Sequence, residues 1–86
     1  MVTITTASTD KFKLAKRERI TAPVISVVET TENHATKKSM ITANFNGKDY
    51  NVTREIGEMS YAGAWPTDSE ITTFLNTWIT ANKITA

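Results

Sequence analysis

Residues 41–56 read ITANFNGKDYNVTREI, and the way this stretch folds decides the architecture around it. Asn46-Gly47 stands between two runs of alternating apolar and polar residues, the strongest short-range sign of a β-hairpin. A two-residue turn sets Phe45 opposite Lys48, Ala43 opposite Tyr50 and Ile41 opposite Val52. Ile41, Ala43, Phe45, Tyr50 and Val52 then share one face, and Thr42, Asn44, Asp49, Asn51 and Thr53 share the other. A four-residue loop keeps this sorting, whereas a one-residue slip scrambles it.

An oily face on a ribbon needs a cover, and the end of the chain supplies one. Residues 65–82, WPTDSEITTFLNTWITAN, carry Thr67 and Glu70 at the spacing of a capping box, with Pro66 disfavouring helix before them. Asp68 and Glu70 sit in the first turn, where negative charge complements the helix dipole. Ile71, Phe74, Leu75, Trp78 and Ile79 fill the i, i+3, i+4, i+7, i+8 series of an amphipathic helix. The other face is rich in threonine, so the helix depends on a surface to bury against. Asn82 is the expected stop.

Upstream, APVISVVETT (residues 22–31) is a strand rich in β-branched residues, and ENHATK connects it to a strand beginning near Lys38. Pro23 belongs at its beginning or on an edge, because it cannot donate to a ladder. Val24, Ile25, Val27 and Val28 are apolar on both parities, which predicts cover on both faces. In the first 21 residues, VTITT reads as extended. Phe12, Leu14 and Ile20 share strand parity and make a poor helical stripe. The expected fold is α+β: an antiparallel β-meander of three to five strands with one C-terminal amphipathic helix packed on the sheet. Residues 22–86 form this domain, and residues 1–21 an N-terminal arm or edge strand.

Composition narrows the chemistry. The 86 residues contain no cysteine, which removes disulfides, thiolate metal sites and cysteine nucleophiles. His34 is the lone histidine and falls in a polar turn; Glu29 and Glu32 nearby form no metal-binding pattern with it. Glu55/Glu58 and Asp68/Glu70 read as surface and capping charges. Three glycines make no phosphate loop. The expectation is a non-enzymatic protein with no cofactor and no bound metal. MVTITTASTDKFK lacks an apolar stretch behind a basic start, and no apolar run approaches membrane-spanning length. We therefore expect no membrane association and a cytoplasmic site of synthesis, a reading compatible with later packaging into a particle.

Two stretches stand out as contact surfaces. Tyr61 and Trp65 flank Ala62, Gly63 and Ala64, too small-sided to make a core of their own, and aromatics on a loop make good interface anchors. They are the expected protein-partner residues, against the alternative that both fold inward. The net charge of +1 hides an asymmetry: residues 1–54 carry nine Lys/Arg against five Asp/Glu, and residues 55–86 one against four. Lys11, Lys13, Lys16, Arg17 and Arg19 concentrate the basic excess. With Phe12 stacking on a base, they are the alternative, nucleic-acid-binding site; the competing account is a solvated, edge-protecting face. Few strands also leave edges, so self-association by strand pairing or an exchanged N-terminal arm is expected.

Asn46-Gly47, Trp78 and Asn82, read together over the C-terminal half, resemble small structural or assembly proteins of tailed bacteriophages, in which a tight Asn/Asp-Gly hairpin precedes an acidic helix with a tryptophan. The tryptophan-glycine-asparagine ending of tail-fibre assembly proteins is met in part, with Ala81 in the place of glycine. The resemblance implies a virion structural or assembly component, or a small accessory protein that binds and blocks a host protein.

Overall fold

The computed structural model describes residues 2–14 and 17–84. Six strands and one helix follow in order: β1 Thr3–Thr5, β2 Lys11–Lys13, β3 Arg19–Thr21, β4 Val24–Asn33, β5 Lys38–Asn46, β6 Asn51–Ser60 and α1 Asp68–Asn82. Four of them form an antiparallel sheet in the order β1-β4-β5-β6, and β2 and β3 form a separate two-stranded ribbon. The architecture is α+β, as expected.

The β5–β6 ribbon is closed by residues 47–50, with Asn46 opposite Asn51 and Phe45 opposite Val52. This four-residue connection keeps the predicted parity. Ile41, Ala43 and Phe45 are fully buried, Val52 is half-buried, and Tyr50 lies at the rim. Gly47 serves a different purpose from the one its pairing with Asn46 suggests. It does not adopt positive φ. Instead, a Cβ there would stand 2.4 Å from Ile20 Cγ1 and 3.0 Å from the Thr21 carbonyl. The glycine is a place of close approach between the hairpin loop and β3.

The loop is bonded to β3 as well as packed on it. The Lys48 amide donates to the Thr21 carbonyl at 3.0 Å, and the Tyr50 hydroxyl to the Arg19 carbonyl at 2.9 Å. On the other side of the ribbon, Phe12 bridges Lys83, and the Ile84 amide donates to the Lys11 carbonyl at 2.8 Å. Both backbone edges of the β2–β3 ribbon are therefore occupied. Phe12 and Ile20, paired across it, point inward and are fully buried. The N-terminal segment thus provides an edge strand, β1, and a ribbon that contributes to the common core.

The helix starts as its sequence dictates. The Thr67 hydroxyl accepts from the Glu70 amide at 3.1 Å, and the Glu70 carboxylate accepts from the Thr67 amide at 2.9 Å. Ile71 and Leu75 are buried, with Phe74, Trp78 and Ile79 packed beside them. Trp78 lies 5.2 Å from Phe45 and 6.2 Å from Phe12, ring centre to ring centre, joining helix, sheet and ribbon. Each fully buried side chain of this size contributes about 1.5–3 kcal/mol.

Expected cover on both sides of β4 is not found. Ile25 and Val27 face the core, but Val28 is 50% exposed. Val28 alternates with Val27 onto the outer face, which nothing among the described residues covers, and it sits at a β-bulge: Val27 pairs with Ala43 and Glu29 with Thr42, leaving Val28 as an extra residue. A second bulge lies level with it on the other side of β5, where Thr42 pairs with Glu55 and Ile41 with Gly57, leaving Ile56 extra. The outer face of the sheet carries polar rows such as Ser26, Asn44 and Thr53. Thr3 Oγ1 donates to Ser26 Oγ at 3.3 Å, and Asn44 Nδ2 to Thr53 Oγ1 at 3.2 Å. A half-covered antiparallel sheet is stable with such a face in water.

Candidate interaction site

Antiparallel pairing of Lys38 with Ser60 brings the β4–β5 turn, residues 34–37, beside the loop that leaves β6. The turn is set locally: Asn33 Oδ1 accepts from the amides of Ala35 and Thr36 at 3.1 and 3.3 Å, and Lys37 takes φ 57° to close it. Two contacts from Lys37 then fix the neighbouring loop. Its carbonyl accepts from the Tyr61 amide at 3.1 Å, and its ammonium donates to the Gly63 carbonyl at 2.9 Å. The same ammonium stands 5.6 Å above the Tyr61 ring.

The loop is held from its far side by Glu70. One carboxylate oxygen accepts from the Ala62 amide at 3.1 Å while the other completes the capping box. Those bonds, from Thr67 first and then Ala62, keep the Glu70 carboxyl below its ordinary 4.5.

Tyr61 and Trp65, paired by the sequence as partner residues, separate here. Tyr61 is only 4% exposed, and its hydroxyl bonds His34 Nδ1 at 3.0 Å. Burial, then the negative charge of Glu32, pushes its phenol above the usual 10.0. Tyr61 therefore supports the site instead of presenting itself. Trp65 is 63% exposed, more than any other large hydrophobic side chain among the described residues. Its ring meets His34 edge-on at 4.7 Å and 89°. His34 and Lys37, which the sequence reading left in a polar turn, are the residues that contact this loop from that side. The signal that could have found them was register: with four residues between β4 and β5, the turn must lie beside residue 61.

The basic residues lie at the opposite end of the strands. Lys11, Lys13, Arg17 and Arg19 are exposed, and Lys16 lies outside the described residues. Phe12 is fully buried, so it cannot stack on a base; that part of the nucleic-acid expectation is corrected. Asp10 pairs with Lys83 at 3.2 Å, and Glu18 with Arg54 at 2.9 Å.

Other features offer less. Along the solvent side of α1, the hydroxyls of Thr73, Thr77 and Thr80 already donate to carbonyls one turn earlier, at 3.0–3.1 Å. Ser39 is fully buried, and its hydroxyl has no hydrogen-bond partner among the described residues. Among the described residues, no group of three His, Asp or Glu side chains could hold a metal ion, and no helix is long and apolar enough to cross a membrane. No family model matches the chain, and neither a curated protein nor a solved structure matches it.

Proposed function

We propose that this chain is a non-enzymatic binding module that engages a protein partner through Trp65. The observation that carries the reading is a large apolar ring left in water on a loop whose backbone is tied down at Tyr61, Ala62, Gly63 and Thr67. A pre-fixed tryptophan loses little conformational freedom on docking, which is what an interface hot spot requires. His34, edge-on to the indole, would form its rim, and Lys37 would hold the loop that carries it.

Charge supports a foreign protein as the partner over a second copy. The open edge of β6 carries Glu55 and Glu58, and the part of β4 beyond its pairing with β1 carries Glu29 and Glu32. Pairing either edge with itself sets carboxylates against carboxylates. A structural or assembly role in a phage virion, or blockade of a host protein, would use the same surface.

The test is a Trp78→Phe background in which Trp65 is the only tryptophan. Its emission should be that of a wetted indole and should shift to the blue with a partner captured from the native source. Trp65→Ala should abolish capture with the circular dichroism unchanged. Capture that survives Trp65→Ala would refute the reading.

A further inference from the structure

The β2–β3 ribbon shows a charge arrangement that folding alone does not favour. Phe12 and Ile20 form the hydrogen-bonded pair, since the Leu14 amide bonds the Glu18 carbonyl and the Ala22 amide the Asp10 carbonyl, two residues to either side. Lys13 opposite Arg19 is therefore a non-hydrogen-bonded pair, the kind in which facing side chains approach most closely. Two cations are set against each other there, a destabilising choice. Lys11 stands on the same side of β2 as Lys13, one pleat away, and Arg17 lies in the adjoining turn.

The two acids that dilute this segment in the sequence do not relieve it. Asp10 is bound to Lys83 from the end of α1, and Glu18 is held by two nitrogens of Arg54 from β6. No salt bridge reaches Lys11, Lys13, Arg17 or Arg19 among the described residues. The inner side of the ribbon is packed and both of its edges are bonded. Its outer side is thus a fixed cationic platform, with the half-exposed ring of Tyr50 bonded at its margin through Arg19.

We infer that this platform binds the phosphate backbone of nucleic acid without regard to sequence. A phosphodiester lying between Lys13 and Arg19 turns their repulsion into two attractions. Lys11 and Arg17 extend the track to neighbouring phosphates. With Phe12 buried, affinity rests on charge and counterion release.

Fluorescence anisotropy with a short labelled duplex and a labelled single strand, both of mixed sequence, tests this. Binding should weaken steeply between about 50 and 200 mM salt, with a log–log slope between about −2 and −4. Lys13→Ala with Arg19→Ala should cut the slope by about 2. Lys38→Ala, a charge removed from the far end of the sheet, should change it little, and Trp65→Ala not at all. Lys13→Glu should abolish binding while raising the melting temperature by about 2–5 °C, because it places an acid opposite Arg19. That opposition of signs separates a ligand site from a structural one. No binding at the lowest salt, binding indifferent to the double variant, or equal competition by polyglutamate, which would point to an acidic protein, would each overturn the inference.

Discussion

The two ends of the sheet solve one problem in opposite ways. Each is a place where chain connections meet, and each is fastened by backbone hydrogen bonds between segments distant in sequence. At the ribbon end, Phe12 goes inside, against Trp78, and the charged neighbours Lys11 and Lys13 stay out. At the turn end, Tyr61 goes inside and Trp65 stays out, with His34 edge-on against it and Lys37 bonded to the loop at Gly63. Strand parity enforces the first choice, because a residue flanked by two lysines on a packed ribbon must face the core when they face water. The second is made in a loop, where parity has no force. A tryptophan there stays exposed only if nothing nearby has room for it.

The widest separation between the two ends should come from truncating their aromatics. Phe12→Ala removes a fully buried ring at the junction of helix, sheet and ribbon and should cost about 3–5 kcal/mol in denaturant unfolding. Trp65→Ala should stay within about 0.5 kcal/mol of the parent. Comparable losses at both positions would erase the distinction between a structural and a presented aromatic.

A smaller effect probes how tightly the ribbon end is closed. Gly47→Ala forces a methyl group against Ile20 and should destabilise by about 1–3 kcal/mol. Combined with Ile20→Ala, the loss should be clearly less than the sum of the two, since the second change opens the space the first needs. Strict additivity would mean that the loop and β3 do not touch.

A milder loss than that at Gly47 probes the fastening of the turn end. Thr67→Ala removes the capping hydroxyl and should cost about 1 kcal/mol. Its partner Glu70 has a carboxyl held low in the folded protein, so its contribution is complete above the ordinary 4.5 and disappears as pH falls through the lowered folded value. Glu70→Gln should therefore flatten the acid side of the stability curve and lower the rest of it by a constant amount, without changing its shape at alkaline pH.

Much of this molecule could be read from local patterns. The capping box and the five-position apolar stripe specified α1 almost to the residue, because both signals act within a turn or two of helix. The faces of β5 and β6 followed from alternation on either side of Asn46-Gly47. The bulges at Val28 and Ile56 were hidden, since an extra residue is defined only against a partner strand. Strands β2 and β3 escaped for lack of length: KFK and RIT each offer one apolar residue, too few for a period. At the candidate site Tyr61 and Trp65 were legible together as loop aromatics, but no local pattern told which of them would stay out. The buttress from His34 and Lys37 was not legible, because it depends on the pairing of residues more than twenty positions apart.

The paired bulges also bear on how the protein behaves when crowded. Val28 and Ile56 interrupt the two strands beside β5 at the same level, so the sheet changes phase at that point on both flanks. A neighbouring molecule that tried to extend the ladder from either margin would fall out of step halfway along and forfeit the remaining bonds. Concentrated solutions should accordingly stay clear of fibres. Straightening one margin, by deleting Ile56, would remove that barrier to end-to-end growth.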